Sequence, residues 1–140
     1  MKNMYEVFED YKKAPDRTAK INVLRWDNRQ VLKNVLQGAF HPGIQYVIKS
    51  APSYKKPDSP PGMGYTSIEK EMNRVYMFVE GSKRVDPNLT LQRKTVILAQ
   101  MLEAMEAKES EVFMGMILKD LNVPGLTAKE VEEAFPGLLS

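Results

Sequence analysis

Lys119-Asp120-Leu121-Asn122-Val123-Pro124-Gly125-Leu126-Thr127-Ala128-Lys129-Glu130-Val131-Glu132-Glu133-Ala134-Phe135-Pro136-Gly137-Leu138-Leu139 reads as the end of one helix, a tight glycine turn, a short helix and a Pro-Gly stop. Thr127 stands three residues before Glu130, a capping-box spacing that starts a helix at Ala128. Pro136 and Gly137 end it after about two turns. The turn brings amides freed at a helix start close to Lys119 and Lys129, a combination that suits an anion such as phosphate. The same spacing is equally that of an ordinary helix–turn–helix corner, since short capped helices are common.

Outward from this segment, apolar residues recur at intervals of three and four, and no alternating strand pattern stands out. Met4, Tyr5, Phe8 and Tyr11 form the apolar side of a first helix over residues 2–13, which Pro15 closes. A second helix starts from Asp16 and carries Ala19, Val23, Leu24 and Trp26. Asp27 is placed to cap a third, holding Val31, Leu32, Val35, Leu36, Ala39 and Phe40. After the His41-Pro42-Gly43 turn, a short apolar helix is expected through Ile44, Tyr46, Val47 and Ile48. Thr66 with Glu69 repeats the capping-box spacing and opens a helix to Glu80 with Val75, Tyr76 and Val79 inside. Asn88 or Thr90 starts the longest helix, whose apolar stripe includes Leu91, Val96, Leu98, Met101 and Leu102. A further helix spans Lys108 to Leu118. The expected fold is all-α: a single compact domain over residues 1–140 with about seven or eight helices.

Residues 50–65 interrupt the pattern with four prolines and two glycines, which favour an extended path. Lys49, Lys55, Lys56 and Tyr54 put charge and an aromatic ring there, suited to a DNA backbone or a partner surface. It reads as well as a solvated connector that Tyr54 and Tyr65 pin to the core.

The 140 residues suit one domain able to bury a core without cross-links, and there is no cysteine for a disulfide or thiolate metal site. A single histidine, His41, leaves no zinc or iron cluster, and beside Pro42 it reads as a turn residue. Glu103, Glu106, Glu109 and Glu111 cannot all share a helix face and read as a solvated helix end. The nine methionines mostly occupy helical apolar positions, and core packing is their expected role. No nucleophile triad, phosphate-binding loop or dinucleotide fingerprint occurs, so neither an enzyme nor a cofactor is expected. No apolar run approaches the ~20 residues needed to span a bilayer, and the acidic, aromatic start does not resemble a signal peptide. A soluble intracellular protein is expected. Net charge is only +2, but residues 1–70 hold 12 Lys+Arg against 7 Asp+Glu, and residues 71–140 hold 8 against 11. That asymmetry suits one face for phosphates and another for a basic partner, or is plain surface scatter.

Three blocks carry a family resemblance. They are the Lys-Asp-Leu…Gly-Leu-Thr…Phe-Pro-Gly-Leu-Leu run at 119–139, the Val31–Leu36 helix with Gly43-Ile44-Gln45-Tyr46-Val47-Ile48-Lys49, and Thr18-Ala19-Lys20-Ile21-Asn22-Val23-Leu24. In this order they resemble the all-helical N-terminal DNA-binding domain of ATP-dependent DNA ligases, the phage enzymes of T-even type above all. The Lys-x-Asp-Gly adenylation motif of those ligases is absent, as neither Lys55-Lys56-Pro57-Asp58 nor Lys119-Asp120-Leu121 fits it. The resemblance therefore implies a free-standing binding module of a phage, working in the cytoplasm of the infected bacterium.

That resemblance implies a non-enzymatic accessory of replication, repair or transcription that contacts duplex DNA, nicked or intact, across the minor groove. Carried over onto matching positions, the contacts are Lys119, Asn122, Gly125, Thr127 and Lys129, with Lys49 after the Gly-Ile-Gln-Tyr block. Lys55, Lys56, Lys83 and Arg84 join them on charge alone. Pro124 removes an amide donor from the turn, and Glu130, Glu132 and Glu133 set negative charge beside it. That acidity points to the alternative, an adaptor that binds a replisome component such as the sliding clamp and has lost the DNA surface. The Pro-rich loop and methionine-bearing helices would suit such an interface.

Overall fold

Helix boundaries follow from local capping chemistry. The computed structural model describes residues 3–55 and 64–140. Asn3 and Glu6 form a reciprocal capping box that starts α1 (Met4–Lys13), and the chain turns extended at Ala14, ahead of Pro15. The Asp16 carboxylate accepts the Ala19 amide at 2.8 Å and starts α2 (Arg17–Asp27). Helix α3 runs over Gln30–Phe40. The Ser67 hydroxyl opens α4 (Ile68–Glu71), and a 3-10 segment, Met72–Phe78, follows. Thr90 accepts the Arg93 amide at 3.1 Å to start α5 (Leu91–Ala104); α6 (Ala107–Ile117) and α7 (Ala128–Ala134) complete the chain.

The architecture is all-α and compact: the described residues form seven α-helices and no strand beyond one isolated bridge. Helix α6 packs against α1, α3 and α5, while α2 joins α1 to α7. Tyr11, Leu32, Leu36, Phe78, Phe113 and Met116 are among the fully buried side chains. Met4, Met101, Met105, Met114 and Met116 lie in the core, in line with their helical spacing.

Several elements depart from the sequence pattern, each for a local reason. Residues 44–48 are extended, not helical: Val47 donates to the Phe78 carbonyl at 2.8 Å and Glu80 to that of Gln45 at 2.7 Å, around a Tyr46–Val79 bridge. An apolar run this short satisfies either period, and its β-branched residues prefer the extended one. The helix expected to reach Glu80 keeps α-geometry only to Glu71, because the tighter 3-10 turns seat Phe78 in the core and release Val79 to that bridge. Thr66 is not its cap; its amide bonds the Ala104 carbonyl and its hydroxyl bonds Glu71. Asp27 ends α2 and grips Arg29 rather than capping α3, with Asn28 left-handed at φ 51 between them. Trp26 is 81% exposed, and Leu91 and Val96 also face outward. Tyr65, 91% exposed, pins nothing, whereas Tyr54 packs on the core.

The acidic set divides. Glu103 and Glu111 are exposed, but Glu106 and Glu109 are buried against the first turn of α1. Glu109 accepts the Tyr5 amide at 2.9 Å, and Glu106 accepts the Asn3 side-chain amide at 3.2 Å. Burial pushes the Glu109 carboxyl up to about 7, reinforced by the charges of Glu106 and Glu6 and opposed by the Tyr5 and Met4 amides. Arg29 and Glu69 line the same recess.

The folded state therefore holds the Glu109 proton more tightly than the unfolded chain does. Its contribution to stability is complete below the ordinary carboxyl value of 4.5 and is lost as pH rises from there to about 7. The melting temperature should fall between about pH 4.5 and about pH 7 and level off above that, and Glu109→Gln should flatten that slope in circular-dichroism melts. An unchanged slope in the variant would remove Glu109 as its source.

Candidate nucleic-acid interface

The C-terminal turn is built differently from an anion cradle. Lys119 leaves α6 with φ 61 and directs its ammonium back under α3. There it donates to the carbonyls of His41 at 2.7 Å, Ile44 at 2.7 Å and Gly38 at 3.3 Å. An ammonium has three donors, and all three are used. Burial also lowers its pKa. Lys119 is thus a bolt between α3, the following turn and α6, and its donors, expected to meet a phosphate, are engaged by the carbonyls of Gly38, His41 and Ile44.

The other carried-over positions surround this bolt without forming a cationic pocket. Asn122 is left-handed at φ 55, and its amide bonds the Asp120 carboxylate at 3.0 Å. Gly125, at φ 78, gives its carbonyl to the Tyr11 hydroxyl at 2.8 Å. The Thr127 hydroxyl bonds Glu130. Thr127 and then the Arg17 guanidinium hold the Glu130 carboxyl below its ordinary range, against the effect of burial. Lys129 is exposed. The acidic residues of α7 are likewise committed within the fold. Glu130 and Glu133 pair with Arg17 at 3.1 and 2.5 Å, and Glu132 accepts the Gly137 and Leu139 amides.

Lys49, Lys83 and Arg84 lie in a second region. The Tyr46–Val79 bridge lays residues 45–49 along 78–80, where Lys49 meets Glu80 at 3.0 Å. Both side chains of that pair are solvent-exposed, so it holds Lys49 only weakly. Gly81, at φ 74, turns the chain into Ser82-Lys83-Arg84. Lys83 and Lys94 line one shallow depression with Val85, Asp86 and Pro87, at the start of α5. Lys55 is elsewhere, its amide 3.4 Å from the Glu103 carboxylate, and Lys56 lies outside the described residues.

The arginines show which cations are spoken for. Arg17 binds α7 carboxylates, Arg25 the Glu133 carbonyl at 2.9 Å, Arg29 the Asp27 carboxylate and Arg74 that of Glu71. Arg84 and Arg93 have no hydrogen-bond acceptor or ion pair among the described residues, and both fall between residues 81 and 94. That segment carries Lys83, Arg84, Arg93 and Lys94 against the single carboxylate of Asp86. Lys94, read in the sequence only as a first-turn residue of a helix, lines the same depression as Lys83, and Arg93 is its exposed neighbour in the chain. Their signal was the charge run split by Pro87.

A groove of about 480 Å³ lies between α1 and α6, with Phe8, Val112, Leu118 and Val123 in its walls. The Glu9–Lys108 pair, at 3.3 Å, is part of its lining. No group of three or more metal-ligating side chains occurs among the described residues. No helix among them is long and apolar enough to cross a membrane.

The role of Lys119 is open to a direct check. Lys119→Met keeps the aliphatic stem but takes a charged donor from three carbonyls, of which Gly38 keeps the Tyr46 hydroxyl and His41 the Ile44 amide, and should cost about 1–3 kcal/mol in denaturant unfolding. Lys129→Met should cost almost nothing. Equal, small effects would return Lys119 to the surface set.

No curated protein matches the chain. One family does, over residues 7–123, a span that runs from within α1 to beyond α6, includes the Tyr46–Val79 bridge and the basic 81–94 segment, and stops before α7. On that match, which covers most of its length, the chain belongs to the family of unknown function DUF6433.

Proposed function

We propose that this protein is a non-enzymatic accessory that holds the sugar–phosphate backbone of double-stranded DNA, in phage replication, repair or transcription. The observation that carries the reading is the concentration of uncommitted cations at residues 81–94, where Arg84 and Arg93 stand free of acceptors among the described residues. Lys83 and Lys94 share a depression there, and the positive end of the 14-residue α5 adds to their field. Contacts of this kind position a protein on a duplex without reading sequence. The site thus moves from the C-terminal turn to the Gly81–Lys94 surface, with Lys49 at its border.

Fluorescence anisotropy with labelled nicked and intact duplexes tests this reading. With about three or four cations engaged, tenfold more salt should weaken binding by about three decades. Lys83→Glu with Arg93→Glu should abolish binding and leave the melting temperature unchanged. Loss of binding in Lys129→Glu instead would return the site to the C-terminal turn, and no binding at low salt would sink the reading.

A second reading, an adaptor for a replisome component such as the sliding clamp, is favoured by Trp26, 81% exposed beside Val7 and Val23 where α1 meets α2. Clamp capture that is lost in Trp26→Ala, with no duplex binding, would put this reading first.

A further inference from the structure

The Gly81 turn does more than reverse the chain. It folds Arg84 back over the ring of Tyr76, with the guanidinium carbon 4.2 Å from the ring centre. Tyr76 belongs to the 3-10 segment, and its carbonyl accepts the Val79 amide at 3.2 Å, so its backbone is set by the same turn. The ring is half-buried and the arginine exposed, so the ring serves as a platform and the guanidinium as its outer layer.

At 4.2 Å the guanidinium carbon lies over the ring, which takes up the cation without offering it a hydrogen-bond acceptor in the ring plane. The stacking leaves the donors of the fork unused, and Arg84 bonds no acceptor among the described residues. The rotamer freedom that a surface arginine gives up on meeting an anion is thereby reduced before the encounter. Lysine cannot reproduce this, because its ammonium is a point charge without a planar fork. Had Arg84 only to shield the ring, an aliphatic side chain or a lysine stem would serve.

We infer that Tyr76 is a positioning residue that presents Arg84 edge-on for a two-point contact with a backbone phosphodiester. The inference rests on the DNA reading and adds to it a geometric requirement beyond charge.

A double-mutant cycle on the full chain tests it, with a short fluorescein-labelled duplex as probe. Arg84→Lys keeps the charge and should still weaken binding about tenfold, with the salt slope unchanged. Tyr76→Leu should weaken binding about threefold, and Tyr76→Phe, which keeps the ring face, should restore it. In the Arg84→Lys background, Tyr76→Leu should have no further effect. Wild-type affinity in Arg84→Lys, a surface change that does not endanger folding, would overturn the inference, as would additive effects of the two substitutions. If Lys83→Glu with Arg93→Glu abolishes binding while Arg84→Lys does not, the DNA reading stands and this inference falls. A wild-type protein that binds no duplex removes both.

Discussion

Burial of α6 is the constraint from which the rest of the structure follows. Between Glu109 and Ile117 only Glu111 and Val112 escape full burial, so this helix must be wrapped on nearly every side. Helices α1, α3 and α5 do the wrapping. Gly115 admits the backbone of Asp120 and Leu121, since a Cβ there would lie 2.8 Å from the Asp120 carbonyl. Two polar fastenings complete the arrangement. Glu109 holds the start of α1 near one end of α6, and Lys119 ties the end of α3 to the other. Both place a charged group where apolar packing would otherwise be expected, and both satisfy it with backbone partners.

This economy of charge shapes the functional reading. Most charged groups at the C-terminal end are engaged within the fold: Arg17 and Arg25 on α7, Glu132 on the chain end, Lys119 on α3. The acidity that pointed toward a lost DNA surface is therefore internal bracing. Lys12, Lys13, Lys70 and Lys129 are exposed elsewhere, and the largest sequence cluster of such cations lies between Gly81 and Lys94, just after the bridge between Tyr46 and Val79.

The helices were legible where a side chain announces them. Pro15, Asp16 and Thr90 sit at or beside helix ends, and the apolar spacing of α5 and α6 placed both within a residue or two. Residues 44–48 and 72–79 were not legible, because their extended and 3-10 forms exist only through mutual pairing across some thirty residues of sequence. Trp26 could be placed on its helix but not on a face, since its burial depends on whether anything packs there. The site was harder still. Nothing in a sequence distinguishes a lysine that spends three donors on carbonyls from one in solvent, and Glu106 and Glu109 look solvated until α1 is laid against them. The basic residues at 83–84 and 93–94 were visible, but the loop between them hid that Lys83 and Lys94 line one depression.

The Gly81–Lys94 segment has one more consequence, and it concerns approach rather than contact. A body of net charge +2 feels little overall pull, yet four cations stand against one carboxylate in this segment, a local excess of positive charge. In the field of a polyanion such a body experiences a torque at distances comparable to the Debye length, about 8 Å at physiological salt. If the proposed duplex binding holds, the molecule would be turned before it lands, and encounters begun on another face would be redirected toward the basic one.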